Sequence, residues 1–449
     1  MPVHPIEFRY FNKEMRDIFT EENKLLMWLK VEAALAQAHA ELGNIPKDAA
    51  KEINRKADLK YVKLERVKEI DHQIHHDLMA MVKAFAEQCD GSAGKYIHLS
   101  ATSYDIEDTA TALMLSQALL IIKKRLKALL SNLITLTEAN KDLVCVGRTH
   151  GQQALPTTYG MRIGVWLYEV SRHLERLNEI FPRIRTGKMS GAVGTMASFG
   201  DKGIKIQKRV MEILELDEVL IANQIVQRDR HAEVILFTCL VAGTIDKIAR
   251  EMRILQRSEI AEMFEPFKKK QVGSSTMPHK RNPHKAERLC ALSRVLKSNA
   301  SIALENMTLE DERDLTNSAS ERVLFPENFI LLDFMLTQLN SILPHVEFNK
   351  TNINKNLDLT KGAFLAEKIM IELVAKDIGR QEAHEILRTS AIEARNTDRS
   401  MKEILLENQL ISNQFNEEEI NEMLDPANYL GKAIEQIDNL LSVIKSKKF

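Results

Sequence analysis

Residues Gly273-Ser274-Ser275-Thr276-Met277-Pro278-His279-Lys280-Arg281-Asn282-Pro283 gather adjacent hydroxyls, an imidazole, an ammonium and a guanidinium into one short stretch. Such a set suits the recognition of a carboxylate beside a proton-transfer group. Gly273 lets the backbone approach a ligand with no Cβ in the way, the tandem serines offer short donors, and Lys280 and Arg281 bring charge to an anion. A run of lysines just upstream, Lys268-Lys269-Lys270, argues instead for a solvated basic loop. Met277 and Pro278 stand between the hydroxyls and the cations, where a merely solvated loop has no use for them, so a functional loop is expected.

A second group is Gly147-Arg148-Thr149-His150-Gly151-Gln152, which follows the apolar run Val144-Cys145-Val146. It is expected to be a loop leading into a helix at Pro156, with a histidine able to carry a proton near neutral pH. A third group comprises His72, His75, His76, Asp77 and His98. The His-x-x-His spacing with an adjacent Asp resembles a metal-ligand set. No fourth ligand or supporting group follows by spacing, so no metal is expected. The chain has neither a P-loop nor a Gly-x-Gly-x-x-Gly segment, so a phosphate would have to be held by side chains such as arginine and serine.

These groups need rigid supports, and the chain reads as helical. It has only 17 glycines, 11 prolines and 6% aromatic residues in 449 positions, a composition that favours helix over sheet. Leu115, Leu119, Ile122, Leu126, Leu129, Leu133 and Leu136 alternate four- and three-residue steps, which predicts one long helix over 105–140. Ile163, Leu167, Val170, Leu174, Leu177 and Phe181 form a second such seam, and Val241, Ile245, Ile248, Met252 and Leu255 a third. Matching seams imply a bundle. Thr20 is expected to cap a helix that Gly43 and Pro46 close. The segment from Pro326 to Pro344 reads as the last bundle helix, and Asn349 to Leu359 as a linker. The expected division is an N-terminal helical domain over 1–94, a central bundle over 95–348 carrying the 273–283 loop, and a small helical domain over 349–449.

Bulk properties exclude several classes. Sixty-two Lys and Arg nearly cancel 63 Asp and Glu, so no molecule-wide field favours nucleic acid or an anionic membrane. Cys89, Cys145, Cys239 and Cys290 lack Cys-x-x-Cys spacing and read as reduced, buried thiols. No secretory leader or run of eighteen apolar residues is evident, and a cytoplasmic protein is expected.

Taken in order, Arg9-Tyr10, the segment from Thr20 to Pro46, His76-Asp77, His98 with Thr102-Ser103, Gly147 to Gly151, Ser190 to Thr195, Gln224 to His231, the 273–283 loop and Glu312 to Arg322 resemble the fumarase/aspartase superfamily. Its members break a C–N or C–O bond beta to a carboxylate and release fumarate. The closest likeness is to the branch acting on succinylated purine ribotides. The resemblance implies an all-α, three-domain fold with a central long-helix bundle. It further implies that four subunits form a twenty-helix core, that each active site draws on three chains, and that no cofactor is used.

By the same resemblance Ser274 is the base, with its alkoxide stabilised by Ser275 and Lys280. His150, beside Thr149, is the acid or its close partner, oriented by Glu287. Thr102, Ser103, Lys280 and Asn282 hold the succinyl carboxylates, and Gln224 contacts the purine or the succinyl group. His75, His76, Asp77 and His98 surround the substrate, although many relatives carry Arg where His75 stands. Arg9, Tyr10, Ser318 and Arg322 take the phosphate, and Arg313 joins the substrate-binding set. Without the resemblance, Arg322 would read as a surface ion pair with Glu321 or Glu327. Rival readings are another fumarate-releasing member such as argininosuccinate lyase or a carboxymuconate cycloisomerase, a non-catalytic helical scaffold, and a metal-dependent hydrolase.

Overall fold

The computed structural model describes residues 3–267, 270–447 and 449; Lys268 and Lys269 of the basic run lie outside them. The long helices follow the apolar seams. The Ser103–Ala139 helix covers the first seam, with Leu115, Leu119, Ile122, Leu126, Leu129 and Leu133 all at most 1% exposed. The Tyr159–Ile184 and Asp229–Leu255 helices cover the other two, and the Thr316–Ile342 helix follows. Thr20 caps the Glu21–Glu41 helix by accepting the Asn23 N–H at 3.2 Å, and Gly43 adopts the positive φ that ends it.

Three local expectations are corrected. The last bundle helix starts at Thr316, so Pro326 lies inside it rather than opening it. Proline removes one N–H from the helical ladder, but side-chain packing outweighs that loss: Leu324, Phe329 and Leu332 on the same stretch are buried. The 349–359 segment is no linker but the Lys350–Leu357 helix, capped by Asn349, which accepts the Asn352 N–H at 3.2 Å. Short polar residues serve a cap as readily as a loop, which makes them ambiguous in sequence. Two of the cysteines, Cys89 and Cys239, are only partly buried.

The chain forms two compact units, one comprising 1–127, 173–245 and 291–337, the other 128–172, 246–290 and 338–449. In the first, one apolar core joins the Glu21–Glu41, Leu64–Ile74 and Asp77–Gln88 helices to the start of the Ser103–Ala139 helix. In the second, a separate core gathers the short helices between Ile369 and Met423. Among the described residues β structure is confined to three two-stranded pairs: an antiparallel hairpin, Val144–Thr149 with Gln152–Thr158, a parallel pair at 186–187 and 217–218, and an antiparallel pair at 263–264 and 347–348.

Candidate active site

In the first unit the Ser103–Ala139 helix begins on a turn held by Asp105, whose carboxylate accepts the Thr102 N–H at 2.9 Å. The same carboxylate accepts N–H bonds from Ser190 at 2.9 Å and Gly191 at 3.0 Å, and pairs with the Lys188 ammonium. Both partners of that pair are wholly buried. Thr102 and Ser103 are thus tied to the Ser190–Gly191 segment, and among the described residues no hydrogen bond engages their hydroxyls. Gln224 closes on the same segment, its side-chain amide donating to the Ala192 carbonyl at 3.0 Å.

His98, at φ 62°, is gripped twice by the buried Glu32: its N–H donates to one carboxylate oxygen at 2.9 Å, and Nδ1 meets the other at 2.7 Å. Burial works against the imidazolium, but the bond and charge of Glu32, helped by Asp105, outweigh it and raise the His98 pKa above its ordinary value. His75 ends the Leu64–Ile74 helix at φ 51°, and His76 caps the next one, accepting the Met79 N–H at 3.4 Å. Among the described residues no three His, Cys, Asp or Glu side chains are arranged to hold a metal ion, nor is any helix long and apolar enough to cross a membrane.

Asp77, Ser318 and Arg322 come together on a cavity of about 340 Å³. Arg322 donates to Asp77 at 3.0 Å, so its partner is neither Glu321 nor Glu327. One helical turn earlier, Ser318 accepts the Tyr104 hydroxyl at 2.9 Å. The Arg313 guanidinium stacks 3.9 Å over the Tyr104 ring and donates to Asn317 at 2.7 Å, while among the described residues its Nε and Nη2 have no hydrogen-bond partner. Arg9 and Tyr10 do not line this cavity. Arg9 donates to the Tyr10 hydroxyl at 3.2 Å, and the Tyr10 ring packs against Phe334.

In the second unit Thr149 and His150 sit at the tip of the hairpin. Thr149 pairs with Gln152, and His150 and Gly151 form the two-residue turn with φ of 53° and 75°. Positive φ at both central residues is the turn type that matches strand twist. The expected loop into a helix at Pro156 is therefore a strand, and the Tyr159–Ile184 helix starts three residues later. The β-branched Val144, Val146 and Thr149 before His150-Gly151, with Thr157 and Thr158 after it, could have signalled it. Beneath the tip the buried Glu262 accepts from Arg148 at 2.5 Å, the Tyr159 hydroxyl at 2.6 Å and Asn356 at 2.7 Å. Burial disfavours its charge, yet these donors win and hold its pKa below the usual carboxylate value. His150 itself is exposed and makes no hydrogen bond to Glu287, which lies exposed in the first turn of the His284–Glu305 helix.

The 273–283 loop is pinched at its neck. The Asn282 amide donates to the Gly273 carbonyl at 2.8 Å, and a Cβ on Gly273 would lie 2.0 Å from the Lys280 carbonyl oxygen. Only glycine allows that approach. Inside the loop, the Ser274 hydroxyl oxygen accepts the N–H groups of Thr276 at 3.3 Å and Met277 at 3.1 Å. Ser275 meets Thr276 at 3.5 Å, and Lys280 is exposed. Sequence reasoning missed Glu32, Asp105, Lys188 and Glu262. Each is a charged residue within an apolar or unremarked stretch, with nothing local to reveal its partner.

A family model described as "Lyase" matches residues 7–296, and one described as "Adenylosuccinate lyase C-terminus" matches 362–440. The adenylosuccinate lyase of Methanocaldococcus jannaschii is 52% identical, the match covering 100% of this chain and 97% of that protein. Its counterpart from Pyrococcus abyssi is 53% identical over 99% of this chain and 98% of its own length. Among solved structures, a fumarate lyase from Mesorhizobium sp. BNC1 superposes with a TM-score of 0.90 at 31% identity, covering 98% of this chain and 100% of the other.

Proposed function

Since the chain belongs to the adenylosuccinate lyase family, we propose that it releases fumarate by β-elimination from adenylosuccinate, giving AMP, and from the succinyl-aminoimidazole-carboxamide ribotide, giving the carboxamide ribotide. The observation that carries the mechanism is the Ser274 hydroxyl oxygen accepting two backbone N–H groups inside its own turn. A serine is a weak base unless its alkoxide is stabilised. Two aligned amides supply fixed partial positive charge, and Lys280 and Ser275 add to it.

In this reading Ser274 removes the proton from the carbon beside the succinyl carboxylate. The resulting carbanion spreads its charge into that carboxylate, held by Lys280, Asn282, Thr102 and Ser103. The C–N bond then breaks as His150 protonates the departing nitrogen, with Thr149 beside it and Glu287 orienting the imidazole. Gln224 faces the purine or succinyl group, and His75, His76, Asp77 and His98 enclose it. Arg9, Tyr10, Ser318 and Arg322 take the phosphate, and Arg313 joins the substrate-binding set. The guanidinium–hydroxyl combination suits a phosphomonoester dianion. No cofactor enters these steps.

The working form is a cytoplasmic homotetramer whose active sites are each assembled from several subunits, with 1–94, 95–348 and 349–449 as its domains. The exposed hairpin tip bearing His150 and the exposed Glu287 are consistent with roles completed by another chain. Fumarate release from adenylosuccinate, followed by absorbance with purified protein, tests the assignment. Ser274→Ala and His150→Ala are each expected to lower kcat by at least ~100-fold, the usual scale for a general acid or base. Near-normal turnover in either variant would refute the role assigned to that residue.

A further inference from the structure

The cavity beside Arg322 holds more negative charge than an anion site needs. Asp77 already pairs with Arg322. The Ser103–Ala139 helix presents a second carboxylate, Glu107, to the same cavity. Most of the other charged groups on this cavity have partners of their own. Asp108, the neighbour of Glu107, is neutralised by a bidentate pair with Arg228 at 2.8 and 2.9 Å, and Glu321 shares that guanidinium at 2.9 Å. The Glu21–Glu41 helix contributes Glu21 and Lys24, which pair with each other at 3.2 Å. The Leu64–Ile74 helix adds Lys68 and Asp71, of opposite sign. Glu107 itself has no hydrogen bond or ion pair among the described residues. Asp77 and Glu107 therefore both face Arg322, a guanidinium that must also meet the ligand.

We propose that Glu107 is a positioning residue that sets when Arg322 can accept the phosphate end of the substrate, by entering the bound state as a neutral acid, so that phosphate binding takes up one proton. This rests on the reading of Ser318 and Arg322 as phosphate contacts. A phosphomonoester dianion placed against Arg322 adds two negative charges next to a half-buried carboxylate, and the least costly response is for that carboxylate to hold a proton. Burial foremost, then the charges of Asp77 and Asp108 against the pull of Arg322, already lift its pKa to about 7. Asp77 remains on Arg322 or releases it to the ligand, and Glu107 supplies the proton-dependent part of the exchange.

The test compares wild type, Glu107→Gln and Arg322→Gln between pH 6 and pH 8, measuring KM for adenylosuccinate and the inhibition constant of AMP. Linkage of one proton predicts that the ratio of wild-type to Glu107→Gln KM rises about tenfold across that range, with the change in KM rather than kcat. Taking the ratio cancels the phosphate's own second ionisation, near ~6. Inhibition by fumarate, which has no phosphate, is expected to show no such trend. Calorimetry of AMP binding to the wild-type enzyme at pH 8, in two buffers of different ionisation enthalpy, should report uptake of close to one proton, a readout that survives even if the variant folds poorly. A flat KM ratio, or no proton uptake, while Arg322→Gln raises KM, overturns the role of Glu107 alone. If Arg322→Gln leaves KM unchanged, the phosphate reading beneath it falls.

Discussion

Replacing Asp105 with Asn removes one charge from the most enclosed ion pair in the first unit. Asp105 and Lys188 are each 0% exposed, so the ammonium would be left buried without a counter-charge. Removing one partner of such a pair costs about 3–5 kcal/mol, because the remaining charge keeps its full desolvation penalty. The asparagine retains one acceptor oxygen, but its NH₂ must face backbone N–H groups that Asp105 satisfies at Thr102, Ser190 and Gly191. The upper half of that range is therefore expected. Urea unfolding followed by far-ultraviolet circular dichroism measures it, and a cycle with Lys188→Met isolates the pair. The double variant should be less damaged than the sum of the singles by about 2 kcal/mol, within the range for residues in one network. Loosening the Thr102 turn should also raise KM for adenylosuccinate. A cost for Asp105→Asn below about 1 kcal/mol, or a coupling under about 0.5 kcal/mol, would refute the argument that this pair holds the helix start to the Ser190–Gly191 segment.

Two further variants probe the neighbouring geometry. Gly273→Ala forces a Cβ to within 2.0 Å of the Lys280 carbonyl oxygen, so the loop neck must open; kcat should fall roughly 100-fold through misplacement of Ser274, with little change in the thermal midpoint because the loop is exposed. Glu32→Gln removes the group that raises the His98 pKa, and an NMR titration of the ring should show it moving below its wild-type value. For stability the sign follows from the raised pKa: the stabilisation from the Glu32–His98 pair is fully present below the unfolded histidine value of about 6.5 and is lost as pH rises through the folded one. The gap between wild type and variant should therefore be wider at pH 6 than at pH 8.5, and an equal gap at both would count against the pair.

Much of the scaffold was legible from neighbouring residues. The seam from Leu115 to Leu133 is buried as its spacing predicts, and the Thr20 cap is made as its side chain allows. The 273–283 loop announced itself through residue types, and its need for glycine at 273 came from the same reading, although the reason proved to be another backbone carbonyl. Helical periodicity, caps and tight turns depend on atoms a few residues apart, so sequence alone carries them. Pro326 inside a helix and the helix capped by Asn349 escaped because a proline or a short polar residue has two local meanings, and packing chooses between them.

The pairings between charges were invisible for a different reason. Glu32 meets His98 across 66 residues, Lys188 meets Asp105 across 83 and Arg322 meets Asp77 across 245. A buried charge is tolerable only where a partner reaches it. Which partner does so depends on how the helices close on one another, and no pattern within a single segment records that closure.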